Sequence, residues 1–510
     1  MERNLRSVDT AKITAVPLEE NIVSAYRHVS SHRRLRKDPR DLDRPPPALD
    51  RRPGVAPGRP DLAAHPRSRH PWERRRDRRG RADDVDRAVA AAERARRGWA
   101  DRSPADRAAV LHRIADLLHE DADTVMRLER ACTGKVPARL RLEVDLSAQY
   151  FRYYAGGVRA AGQGSVIDQG AGVHTCTRYE PYGVVGVITP WNLPLNQACR
   201  ALAPALAMGN AVVAKPSEFT SASTLHLARL ASRAGLPDGV LNVVTGTGPQ
   251  AGAALAAHPG VRRLAFTGSV ATGRLLAATA VDRLVPLTLE LGGKSPLLVF
   301  ADADLDRAAA AAVAALAANS GQVCSATTRL LVEESVHDEV VDRVVAAVDR
   351  LRPGVDFGPL ITQTQYRKVL DFLKDAPEPT VGGGPYTEGP AARGLYVRPT
   401  VYARVDPAAR IAREEVFGPV LVTWPFHDEA HALALANDSD YGLVAAVWSG
   451  DLARGLRLAE RLDAGQVAVN GGPLTVETPF GGYKRSGYGR EKGLAALHEY
   501  AQLKTVSANL

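Results

Sequence analysis

The sequence predicts an α/β protein in which two parallel sheets, each covered by helices, form separate domains. Three observations lead there. Runs such as Gly183 to Thr189 and Ala211 to Ala214 are nearly continuous in apolar and β-branched residues, the pattern of strands buried on both faces. Helical patterns, about Leu195 to Ala207 and about Ser221 to Ala234, stand between such runs, as parallel strands require. The chain's 510 residues exceed one ordinary core, and the strand–helix series starts again after Pro286.

The N-terminal part does not share this pattern. Residues 1–82 hold 21 Lys and Arg against 11 Asp and Glu, a net charge of +10 in a chain whose total is +9, so the remainder is close to neutral. From about residue 28 the segment is crowded with Arg and Pro and poor in periodic aliphatics, a composition that buries too little surface to offset its ordering entropy. It reads as a disordered or aberrant basic segment. It has few interleaved aromatics, so its charge implies no specific nucleic-acid binding.

Order begins at Asp83 with an Ala-rich amphipathic helix to Trp99. Ser103-Pro104-Ala105-Asp106 then supplies an N-cap, a proline at the first helical position and an acid in the first turn. Apolar residues at Val110, Leu111, Ile114, Leu117 and Leu118 carry that helix forward. After the Tyr182 strand–helix series come Val240-Leu-Asn-Val-Val and Arg263-Leu-Ala-Phe-Thr, the latter running into a glycine-containing turn and a helix. The second series includes Leu297 to Phe300, a helix from Leu305 to Ala318, Leu330 to Val332, and Val420 to Trp424; Ala501 to Val506 reads as an edge strand. The longest apolar run, Ala308 to Ala318, is too short to span a bilayer. The N-terminus leads into no apolar signal region, and the four cysteines form no CxxC pair, so a reducing cytoplasmic location without a membrane or a metal site is expected.

Two segments carry the chemistry. In Glu290-Leu-Gly-Gly-Lys a carboxylate stands between an apolar strand and a glycine pair, where desolvation raises its pKa toward that of a general base. In Asn319-Ser-Gly-Gln-Val-Cys324 a thiol follows a small, flexible turn, the setting for attack on a carbonyl. Cys324 taken alone is more often a buried small hydrophobe, and Glu290 alone an exposed strand-end acid. Asn192, at the end of the Gly183–Thr189 strand, lies where α/β sheets collect ligands and can donate to an oxyanion, although an Asn there is also a good turn residue. Gly268-Ser-Val-Ala-Thr-Gly273 follows a strand and opens a helix, a place for a phosphate. Lys215-Pro-Ser-Glu218 offers a Lys and an acid to ribose hydroxyls, and the acid would repel a 2′-phosphate, which favours NAD over NADP.

From about Asp83 to the end the chain resembles the NAD(P)-dependent aldehyde dehydrogenase superfamily. The matching motifs run in order: Thr189-Pro-Trp-Asn, Gly209-Asn, Lys215-Pro-Ser-Glu, Phe266-Thr-Gly-Ser, Glu290-Leu-Gly-Gly-Lys, Gly321-Gln-Val-Cys, Glu414-Glu-Val-Phe-Gly-Pro, and Pro479-Phe-Gly-Gly-Tyr-Lys with Ser486-Gly and Gly489-Arg-Glu. The resemblance implies an aldehyde dehydrogenase-like fold: a Rossmann-like cofactor domain (83–158 and 182–292), a catalytic domain (293–485), and a small β oligomerisation element (159–181 and 495–510). It also implies oxidation of an aldehyde to a carboxylic acid. Cys324 would be the nucleophile, Glu290 the base that hydrolyses the thioester, and Asn192 with the Cys324 backbone N–H the oxyanion hole. Thr189, Pro190, Trp191, Lys215, Ser217, Glu218, Gly268, Ser269, Gly273, Leu291, Gly292, Glu415 and Phe417 would bind NAD. A small-molecule aldehyde is the implied partner, with assembly as a homodimer or homotetramer.

Three departures from the family pattern stand out. Ala201 occupies the place of a Lys three residues before the helical Pro, so a proton relay from Glu290 must use water or Glu491. Asn196 and Arg200 put polar groups where relatives line the substrate tunnel with apolar ones, which suggests a polar or acidic substrate. Residues 28–82 lack the family's opening β-hairpin and strands, as a frame error in a GC-rich gene or a relic would produce, and missing strands there would weaken the body.

Overall fold

Two six-stranded sheets organise the chain in this computed structural model, which describes residues 82–162 and 164–510. The expectations attached to residues 1–81 lie outside the described residues.

The first sheet runs, edge to edge, through Gly487–Tyr488, Leu287–Glu290, Arg263–Thr267, Val184–Ile188, Ala211–Lys215 and Leu241–Val243. Only the edge strand Gly487–Tyr488 is antiparallel to its neighbour. The chain starts at the central strand Val184–Ile188, adds strands on one side and then crosses to Arg263–Thr267 on the other. That reversal creates the crevice between strand ends where α/β sheets bind ligands. Side-chain alternation accounts for the two covered faces. Val185, Val187 and Val212 pack with helices Pro104–Glu120, Pro137–Ala160 and Pro194–Ala207. Val184, Ile188 and Val213 pack on the opposite face with Val85 and Val89 of helix Ala82–Ala100. A strand buried on both faces has no reason to alternate polar and apolar residues, which is why these runs are continuous in the sequence.

The helix from Pro104 begins as its sequence predicts: Ser103 Oγ accepts from the Asp106 N–H at 3.1 Å, with Pro at the first helical position. The helix after Asn192 is Pro194–Ala207, buried along its whole length.

The second sheet orders Thr400–Tyr402, Val420–Phe426, Arg329–Glu333, Pro296–Val299, Val444–Trp448 and Gln466–Val469, all parallel. Residues 291–295 carry the chain from the last long strand of the first sheet into Pro296–Val299 of the second. A three-stranded antiparallel sheet joins Val166–Ile167, Val173–Pro181 and Ala501–Asn509. The last strand runs three residues beyond the expected Val506, because every residue from Ala501 to Asn509 finds a partner between Pro181 and Val173. Among the described residues no helix is long and apolar enough to cross a membrane.

Candidate active site

Glu290 ends its strand, and the glycine loop that follows is the crossing between the two sheets. The Glu290 carbonyl accepts from the Gly268 N–H at 3.0 Å, which ties it to the neighbouring strand end. Its carboxyl group is buried, and neither oxygen has a hydrogen-bond partner. Burial first, and then the negative field of Glu491, hold its pKa well above the ordinary carboxyl range; Arg200, Arg490 and Lys492 oppose that shift.

Cys324 is placed by a strained turn. After helix Leu305–Ala317, the residues Asn319, Ser320 and Gly321 have φ of 49°, 55° and 69°. Three successive left-handed residues persist only where surrounding contacts demand them. Asn319 Nδ2 donates to the carbonyls of Asn192 (3.0 Å) and Gln322 (3.2 Å). Gln322 Nε2 donates to the Asn319 carbonyl at 2.8 Å, and its Oε1 accepts from the Ile361 N–H at 2.9 Å. Asn192 Nδ2 in turn donates to the Gln322 carbonyl at 3.0 Å, so the strand-end amide and the turn that delivers Cys324 are one network. The second hydrogen on Asn192 Nδ2 remains for another acceptor.

A Cβ on Gly321 would collide with the Gly418 carbonyl and strain a left-handed position. Gly321→Ala is therefore expected to destabilise the protein by about 2 kcal/mol or more. A clear fall in the thermal unfolding midpoint checks it, and an unchanged midpoint would contradict this account of the turn.

The Cys324 side chain keeps part of its surface open, yet the atoms around its sulfur desolvate the thiolate and push the thiol up to about 11. Arg200 pulls in the other direction, while Glu290 and Glu415 add to the rise. Cys324 and Glu290 share no direct hydrogen bond. A carboxylate with two idle oxygens near a nucleophile, but not bonded to it, suits a base that acts through a water molecule.

Opposite this pair, Glu415 Oε1 accepts from the Gly293 N–H at 3.0 Å. A Cβ at Gly292 would collide with the same carboxylate, so the glycine permits the close approach. Phe417 meets Trp191 edge to face, with ring centroids 5.5 Å apart. Its left-handed backbone (φ 57°) is held by Gln365 Nε2, which donates to the Val416 and Phe417 carbonyls at 3.0 Å each. Gly293, Val323, Glu415 and Phe417 line one small cleft.

The remaining residues stand at strand ends around the crevice. Thr189, with Pro190 and Trp191 following, continues Val184–Ile188, and its N–H donates to the Lys215 carbonyl at 3.1 Å. Lys215 ends its own strand with Nζ 3.4 Å from Glu218 Oε2, and Ser217 between them is buried. Ser269 caps helix Val270–Asp282, accepting from the Thr272 N–H at 3.3 Å. The backbone at Gly268 and Gly273 leaves no room for a side chain: a Cβ on Gly273 would lie 2.8 Å from Leu291 Cδ2, and one on Gly268 would strike the Phe266 ring. The helix N-terminus at Ser269 and the Lys215–Glu218 pair thus stand at the ends of strands on either side of the central Val184–Ile188, where backbone N–H groups and a cation are offered to an anionic ligand.

The profile of the aldehyde dehydrogenase family matches residues 69–506. The chain belongs to the aldehyde dehydrogenase family. The match begins at residue 69, ahead of Asp83, where the motifs place the start of the resemblance. Among solved structures, a betaine aldehyde dehydrogenase from Staphylococcus aureus in complex with NAD+ is 36% identical; the alignment covers 84% of this chain and 88% of that one, with a TM-score of 0.82. A point mutant of the same enzyme, also with NAD+, is 35% identical over 84% of this chain and 90% of its own, again at 0.82. A Burkholderia cenocepacia protein provisionally assigned as an aldehyde dehydrogenase is 45% identical, covering 84% and 93% of the two chains, with a TM-score of 0.82.

Within this aldehyde dehydrogenase fold the expected relay through Glu491 acquires a partner. Arg200 and Glu491, both buried, form an ion pair. Ala201, one residue on, packs into the core. Three residues of the site escaped the sequence reading. Lys294 Nζ donates to the Ile411 carbonyl at 2.8 Å, and burial pulls its ammonium down to about 7. Lys492 Nζ lies 5.1 Å from the centre of the Phe480 ring, and Phe480 packs in the apolar cluster that touches Cys324. Lys294 and Phe480 stand inside quoted motifs, and Lys492 directly follows one. No periodicity distinguishes them from surface residues.

Proposed function

We propose that the protein oxidises an aldehyde to a carboxylic acid with NAD, through a thioester on Cys324. The observation that carries this reading is the hydrogen-bonded link from Asn192 through the Gln322 carbonyl to the Cys324 turn, facing a buried, unpartnered Glu290. Cys324 gives its thiol proton to solvent and adds as the thiolate to the aldehyde carbon, and Asn192 Nδ2 with the Cys324 N–H donates to the oxyanion that forms. That carbon would give its hydride to NAD held at the helix that Ser269 caps, which leaves a thioester on Cys324. Lys215, Ser217 and Glu218 hold the adenosine ribose, Gly268, Ser269 and Gly273 the pyrophosphate, and Glu415 the nicotinamide ribose, with Thr189, Pro190, Trp191, Leu291, Gly292 and Phe417 shaping the walls. Glu290 then removes a proton from the water that releases the acid. Purified protein supplied with NAD and a panel of aldehydes is expected to form NADH. Failure with every aldehyde, in folded protein, would overturn the reading.

The same reading places the protein in the cytoplasm as a homodimer or homotetramer. Its support is the C-terminal strand, exposed from Gln502 to Asn509 and presenting Leu503 and Val506 on a sheet with exposed Val166. Light scattering is expected to show an oligomer that the double substitution Leu503→Lys with Val506→Lys converts to smaller species. A monomeric wild-type protein would refute it.

A further inference from the structure

Beside Cys324 two cations, Arg200 and Lys492, stand among the carboxylates of Glu290 and Glu491, and the oxidation just described gives neither cation a contact with the substrate. Arg200 is only 4% exposed. Its Nε pairs with Glu491, and its guanidinium sits 4.8 Å from the centre of the Phe480 ring. Arg200 Nη2 is buried and has no hydrogen-bond partner. Lys492 reaches the same ring from a separate segment, with Nζ at 5.1 Å. Two cations thus share one aromatic ring, and that ring belongs to the cluster against which the nucleophile packs. Glu290 does not serve as the missing acceptor, since both its oxygens are themselves unpartnered.

A buried guanidinium with an idle donor is costly unless something fills it. Its planar fork suits a carboxylate, and a charge-assisted bond in a desolvated pocket is strong. We propose that Arg200, aided by Lys492, binds a carboxylate carried by the substrate, making the enzyme selective for short aldehydes with an anionic end. The inference rests on the thioester reaction proposed above. It also separates this chain from the Staphylococcus aureus relatives. Betaine aldehyde, which their name specifies, carries a quaternary ammonium, for which the idle donor on Arg200 and the ammonium of Lys492 are no partners.

The test compares kcat/KM for succinic and glutaric semialdehydes with butanal and pentanal, and with betaine aldehyde. Wild-type enzyme is expected to prefer at least one semialdehyde over the neutral aldehyde of equal length by about tenfold or more, the scale of a charge-assisted bond, and to use betaine aldehyde worst. Arg200→Met and Lys492→Leu are each expected to shrink that ratio, whatever they do to absolute rates. Equal use of charged and neutral aldehydes by wild type, or a preference that survives both substitutions, would overturn the inference and leave the thioester reading standing. Absence of NADH with every aldehyde would remove both. Should Arg200→Met fail to fold, the wild-type ratios and the half-buried Lys492 variant decide.

Discussion

Cys324→Ala is expected to abolish steady-state NADH formation, with a loss in kcat of at least about four orders of magnitude, the scale seen when a covalent nucleophile is removed. No neighbour can take over. The other cysteines, Cys132, Cys176 and Cys199, lie on the helix Ala122–Thr133, the small antiparallel sheet and the buried helix Pro194–Ala207, and none is part of the turn that Asn192 organises. The variant should still fold, because the turn is held by Asn319, Gln322 and Asn192 through bonds that never involve the thiol. NAD binding, followed by quenching of intrinsic fluorescence, is expected to persist. Substantial turnover by folded Cys324→Ala would remove the thioester from the mechanism.

Glu290→Gln is expected to give a different signature: a burst approaching one NADH per active site, followed by turnover slowed about 10²- to 10⁴-fold. The amide keeps the shape of the carboxyl and cannot take a proton from water, so acyl enzyme accumulates. Rapid mixing separates the two phases, and a variant with no burst and an equal loss in both phases would assign Glu290 elsewhere. The pH dependence follows from the raised pKa of the carboxyl. Only the ionised form is a base, so the wild-type deacylation rate should rise with pH through a midpoint above the ordinary 4.5, a limb that the variant lacks. Stability moves the opposite way. The folded carboxyl holds its proton more tightly than the unfolded one, so its contribution weakens as pH climbs from about 4.5 toward the raised value. Glu290→Gln should be relatively more stable above that window.

The two predictions depend on different amounts of the sequence. Parallel strands announce themselves because burial on both faces removes any polar alternation, and the runs around Val185, Val212 and Leu264 sit where the periodicity puts them. Caps such as Ser103-Pro104 are equally local, since the cap and its donor are three residues apart. Asn192, Glu290 and Cys324 were also legible, each as a polar or reactive side chain in an otherwise small or apolar segment.

Contacts across long separations were not legible. The sequence suggested that Arg200 makes the tunnel polar and offered Glu491 as a proton relay, but nothing in it indicated that the two pair with each other. The approach of Lys492 and Arg200 to one Phe480 ring, and the hold of Lys294 on the Ile411 carbonyl, are of the same kind. The left-handed run at Asn319 and Ser320 also escapes local reading, because Asn visits that conformation as a single residue while Ser seldom does, and the partners that impose the run lie on other elements.

By itself, then, the sequence determined which residues can form strands, which can cap helices and which can react, because those properties depend on neighbours a few positions away. The tertiary structure decided the charge balance around Cys324 and Glu290. That balance is a sum of burial and fields from Arg200, Glu491 and Lys492, groups distant in the chain that become interacting charges only when two sheets and the segment after Phe480 bring them to one place.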